Sequence, residues 1–95
     1  MFKGDTLTFD LIFSDMEDTS IISIYFSVKK VNSSQNYLFQ KKLNDGITEI
    51  ENLKYRVRIA PEDTQNAVAG EYKYDLEVGL GSDIYTVMTG IFNIK

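Results

Sequence analysis

Three sets of side chains in this chain have types and spacings that could do chemistry. Asp15, Glu17 and Asp18 form an acidic cluster between two apolar stretches. Calcium takes several carboxylate oxygens from a flexible loop, but this spacing matches no EF-hand and lacks its glycine, so a solvated turn is the competing reading. Lys54, Arg56 and Arg58 make a cationic stripe of period 2. It would suit phosphate, or equally a solvated face with cross-strand ion pairs. Glu71, Asp75 and Glu77 make a complementary acidic stripe further along, and the two stripes would fit neighbouring subunits of an assembly.

Catalysis asks for more than these sets supply. The serines fall in turns or on strand exteriors, and the chain has no His to activate one. Carboxylates are numerous enough for a glycosidase-like pair, yet a domain of 95 residues rarely builds the cleft for it. With no Cys there is neither a disulfide nor a thiolate metal site, and the missing His removes the usual zinc ligand and neutral-pH switch. The lack of Trp weakens any sugar-stacking site. The expectation is a protein that is not an enzyme, with no catalytic residue, no metal, no cofactor and no small-molecule substrate.

The net charge of −4 runs against nucleic-acid binding. A hydrophobic content of 43% with 25% charged residues is that of a folded protein, and the length suits one domain, residues 1–95, around one core. The start, Met-Phe-Lys-Gly-Asp-Thr, reaches charge within a few residues, and no stretch resembles a signal peptide or a membrane span. No membrane partner is expected, and with Met1 as the native start the chain is expected to stay in the cytosol until something assembles or releases it.

The elements that must position these residues read as strands. Leu7, Phe9, Leu11 and Phe13 alternate with Thr6, Thr8, Asp10 and Ile12. Ile22, Ile24, Phe26 and Val28 alternate with Ser23, Tyr25, Ser27 and Lys29, and Tyr37 to Leu43 continues less regularly with Phe39 and Leu43 inward. Polar turns at 14–18 and 32–36 and the Asn44-Asp45-Gly46 signal separate them. Residues 47–51 suit a short edge strand or one helical turn, with the strand preferred. Tyr55, Val57 and Ile59 alternate with the cationic stripe until Pro61, which lacks a ladder donor and ends the strand.

Pro61-Glu62-Asp63-Thr64 offers a short helical turn in which Asp63 or Thr64 can accept backbone N–H groups. Gly70 releases the chain into a strand with Tyr72, Tyr74, Leu76 and Val78 inward. Tyr72 stands where sandwich folds place a corner tyrosine, whose hydroxyl bonds to backbone a few residues upstream. The last strand, Ile84 to Ile94, loses phase at Val87 and Met88, and Gly90 marks a bulge or a close backbone approach. Seven short strands with turns between them predict an all-β, immunoglobulin-like antiparallel sandwich of two sheets.

The first and last strands are poorly defended if they lie at edges. Only Asp10 charges the outer side of the first, and nothing charges Tyr85 to Ile94. Ile12, Val87 and Ile91 would then be apolar groups outside the core, the mark of an interface. The competing reading pairs both strands with inner neighbours and packs Val87 or Ile91 at the bulge.

Four pieces, Gly4-Asp5-Thr6, Pro61-Glu62-Asp63-Thr64, Gly70-Glu71-Tyr72-Lys73-Tyr74-Asp75 and Thr86-Val87-Met88-Thr89-Gly90-Ile91-Phe92, together resemble one family. The chain is similar over almost its whole length to the N-terminal domain of phage baseplate upper proteins and related short immunoglobulin-like virion proteins of phages and prophages of Gram-positive bacteria. Where that family has an Asp-Leu-Thr-Gly-like turn, this chain has Asp18-Thr19-Ser20-Ile21. The resemblance implies a non-catalytic structural part of a virion tail or baseplate, made in the bacterial cytoplasm, with other virion proteins or further copies of itself as partners. A stand-alone module binding protein or carbohydrate and a bacterial surface domain are the alternatives; tail, capsid or portal genes beside this one would separate them.

Overall fold

The computed structural model of the chain describes residues 1–13, 21–30 and 37–95. Seven strands and one helical turn follow in order: β1 Leu7–Ile12, β2 Ile21–Lys30, β3 Tyr37–Leu43, β4 Gly46–Glu51, β5 Lys54–Ile59, α1 Pro61–Thr64, β6 Gly70–Leu80 and β7 Asp83–Ile94. The fold is all-β. The strands form one sheet in the order β1-β5-β4-β3-β2-β6-β7, which puts the first and last strands at its two edges.

Alternation dictates how the strands meet. Leu7, Phe9 and Leu11 of β1 stand opposite Ile59, Val57 and Tyr55 of β5, so both apolar rows share one face. On the other face Asp10 lies opposite Arg56 and accepts two hydrogen bonds from its guanidinium, at 2.9 and 3.3 Å. That hydrogen bond holds the Asp10 carboxyl below its ordinary pKa. In the other half of the sheet Ile24, Phe26 and Val28 of β2 face Val78, Leu76 and Tyr74 of β6.

The arrangement departs from the expected antiparallel two-sheet sandwich. There is one continuous sheet, and one of its pairings, β3 with β4 through Lys42↔Gly46 and Leu43↔Ile47, is parallel. The cause lies in the turn between them. Asn44 and Gly46 take positive φ (70° and 97°), and Asn44 N–H donates back to the Ile47 carbonyl at 2.7 Å. The chain therefore steps sideways instead of reversing, and β4 sets off along the direction of β3. Residues 47–51 are strand, anchored by the fully buried Ile47 and paired with β5.

The sheet curls into a half-barrel around its apolar face. Phe9 of β1 meets Phe26 of β2 edge-to-face at 5.3 Å, although β5, β4 and β3 lie between those strands in the sheet. Phe26 also meets Tyr74 and Phe92, and Phe92 meets Phe39. Ile24, Val28, Ile47, Val57, Ile59, Val78 and Ile94 are fully buried beside them. Ile22, expected inward, is 59% exposed, because a register shift between Ile21 and Ser23 against β6 throws it out of phase.

Tyr55 is buried and its hydroxyl donates to Glu49 Oε2 at 3.3 Å. Burial, then the Glu49 charge, raises the phenol pKa above its ordinary value of 10.0. The folded state thus favours the neutral phenol, a contribution present in full below the unfolded pKa and lost as pH rises through the folded one. Thermal melts from about pH 8 to about pH 11 should show stability falling above about pH 10, the ordinary tyrosine value. Tyr55→Phe should make that fall shallower; an unchanged slope would contradict the assignment.

The bulge in β7 lies at Val87, which is passed over between the pairs Leu76↔Met88 and Glu77↔Thr86. Gly90 is the point of close approach. The Tyr74 ring covers it, and a Cβ there would lie 2.6 Å from Tyr74 Cε2. Gly90→Ala should therefore cost about 1–3 kcal/mol, as overpacking does. The same change made together with Tyr74→Leu should cost clearly less, measured by denaturant titration.

Candidate interaction surface

The corner between β5 and β6 sets the position of the last two strands. Pro61 opens α1 with its φ already suited to a helix. Asp63 accepts a hydrogen bond from Ala60 N–H at 2.7 Å and pairs with Lys41 Nζ of β3 at 2.6 Å, both side chains being mostly buried. Thr64 is fully buried, and its Oγ1 accepts from Gly4 N–H at 2.9 Å. Gly70, at φ 150°, turns the chain into β6. Tyr72 is buried, and its hydroxyl donates to the Val68 carbonyl at 2.7 Å, four residues upstream. Lys41 and Gly4 were not legible as partners of this corner, because nothing local in the sequence links them to it.

The corner delivers β7 to the open edge with most of its side chains in solvent. Ile84, Tyr85, Val87, Met88 and Ile91 are each about half exposed or more, and Ile12 at the end of β1 is 70% exposed. Ile12 and Val87 come together: both line a groove of about 520 Å³ between the two edge strands, floored by Leu11, Leu76 and Met88. Ile91 lies outside this groove, on the outer face of β7. Sequence reasoning missed Ile84, Tyr85 and Met88, although the uncharged run from Ile84 to Ile94 carried the signal.

The edge of β7 is partly covered. Lys95 donates its N–H to the Met1 carbonyl at 2.8 Å and accepts from Lys3 N–H at 3.1 Å, while the terminal ammonium donates to the Asn93 carbonyl. The N-terminal residues thus run along the last residues of β7 and stop there. From Ile84 to Ile91 the residues are exposed, apart from Gly90 under its tyrosine.

No protein-family model matches the chain, and no curated protein matches it.

The charged stripes fall on separate halves of the sheet and do not face each other. Arg56 is taken by Asp10, and Asp75 of β6 pairs with Lys29 of β2 at 3.6 Å. The acidic cluster Asp15, Glu17 and Asp18 lies outside the described residues. Among the described residues, no group of three or more His, Cys, Asp or Glu is placed to hold a metal ion, and no helix is long and apolar enough to cross a membrane. What the described surface offers chemically is apolar contact and backbone hydrogen bonding along β7.

Loss of the Tyr72 hydroxyl in Tyr72→Phe should destabilise the fold by about 0.5–1.5 kcal/mol, the net worth of one hydrogen bond. Tyr72→Ala should cost about 3–5 kcal/mol, as for other buried aromatics. Chemical denaturation checks both, and a neutral Tyr72→Ala would remove the corner from the account.

Proposed function

We propose that this protein is a non-catalytic structural component of a phage or prophage virion, a tail- or baseplate-type assembly protein that works by contact. The observation that carries the proposal is the undefended edge: β7 is the last strand of the sheet, uncharged from Ile84 to Ile94, and its apolar side chains stand in solvent. The resemblance of the Pro61–Thr64 and Gly70–Asp75 motifs to baseplate upper proteins supports the same reading. On it, the half-barrel is an opened immunoglobulin-like sandwich, with β1-β5-β4 as one layer and β3-β2-β6-β7 as the other, joined where β3 steps into β4. Its place is the virion and its partners are other virion proteins or further copies of itself.

A protein-binding module is the second reading, favoured by the apolar groove between β1 and β7. A carbohydrate is less well served there, since among the described residues Asp10 is the one charged group in the lining and Arg56 already holds it.

Particles purified from the phage or induced prophage that encodes this chain should contain it in stoichiometric amount, read by mass spectrometry. Recovery of the chain only in the soluble lysate, with intact particles free of it, would overturn the proposal.

A further inference from the structure

We propose that the free edge of β7 pairs with β7 of a second copy, antiparallel and about a two-fold axis, so that two half-barrels share one continuous sheet. This deepens the assembly reading above and rests on it. Backbone groups along an antiparallel edge strand point alternately inward and outward. Asn93 and Lys95 turn theirs outward, to Met1 and Lys3. By alternation Ile91 and Thr89 turn outward too, and past the bulge at Val87 so do Thr86 and Ile84. A two-fold axis between Val87 and Met88 sets Ile84 opposite Ile91 of the second copy and Thr86 opposite Thr89.

The side chains agree with that register. Thr86 and Thr89 stand across from Glu77 and Asp75, and Ile84 and Ile91 from Gly79 and Lys73, all on the outer face of β6. The bulge is what brings Ile84 and Ile91 into phase. Apolar groups then meet apolar groups and threonine meets threonine, pairs that stabilise neighbouring strands. Tyr85 falls opposite Gly90, which has no side chain to clash with it.

Three features point to a second copy as the occupant. The molecule carries a net charge of −4, and β7 from Ile84 to Ile94 is an uncharged run on which two identical molecules can meet without like charges facing. An isologous contact needs a patch complementary to itself, and this register supplies one. The exposed apolar residues Ile84, Val87, Met88 and Ile91, each about half exposed or more, supply side-chain contact along the pairing. The N-terminal residues set the limit of the pairing by occupying Asn93 and Lys95.

The chain has no Cys, so introduced thiols report cleanly. Under mild oxidation, a mixture of Ile84→Cys and Ile91→Cys proteins should give covalent dimers, while each alone should give few. Thr89→Pro removes an outward N–H and leaves the ladder to β6 intact, as edge strands allow. It should weaken the dimer, read by sedimentation, by about tenfold or more. Ile91→Lys should do the same without a change in backbone. A wild type that is monomeric into the high micromolar range, or a dimer indifferent to both variants, overturns the pairing. Wild type found in particles but never paired through β7 would sink this inference and leave the virion reading standing. A β7 dimer absent from particles would do the reverse.

Discussion

The contact between Phe9 and Phe26 fixes the shape of this molecule. A single seven-stranded sheet has one apolar face, and left flat that face would meet water along its whole length. Curling brings β1 back over β2 until the two rings meet edge-to-face at 5.3 Å, and Phe26 then also carries Tyr74 and Phe92. The curl is made possible by the sideways step at Asn44–Gly46, which lets β3 hand over to β4 while keeping a hydrogen-bonded link. Because the sheet curls without closing, it keeps two edges, β1 and β7, and the groove between them. The candidate surface is thus a direct consequence of how the core is buried.

The termini and the corner hold the open side in place. Thr64 is fully buried and spends its hydroxyl on Gly4, tying the entry to β1 to the helical turn after β5. Asp63 ties the same turn to Lys41 of β3 through a mostly buried ion pair. Met1 and Lys3 cap the last residues of β7. These long-range bonds tie both termini and the corner to the strands that carry β7.

Much of the fold was legible because its signals are local. Period-2 alternation at Tyr55, Val57 and Ile59, and at Tyr72 and Leu76, gave both the strands and the inward face, and Pro61 marked where β5 ends. Errors arose where a strand loses its period. Ile22 reads as inward because nothing in Ile-Ile-Ser-Ile announces a register shift against β6, and of the two readings open at Gly90 the close approach holds while the bulge lies at Val87. The parallel step between β3 and β4 was invisible because Asn-Asp-Gly signals a turn without stating where the chain then goes. At the surface, missing charge on the terminal strands pointed to Ile12, Val87 and Ile91. That only two of these share the groove depends on the curl, which no local pattern encodes.

The two edges are not equivalent, and their difference bears on which one meets a partner. β1 carries Asp10, locked to Arg56 of β5, so a charged pair stands on its outer face beside the edge. Another strand approaching there would have to desolvate that pair. β7 has no such guard: its one irregularity, the bulge at Val87, bends the strand but leaves apolar side chains on both sides of it. Natural sheets usually place a lysine, a proline or an inward charge on such an edge to prevent pairing. A sequence that omits all of these from Ile84 to Ile91, before Met1 and Lys3 cover the end of the strand, in a chain with 24 charged residues from 10 basic and 14 acidic, has left that stretch open to strand pairing. The groove beside it then follows as the space left by the unclosed sheet.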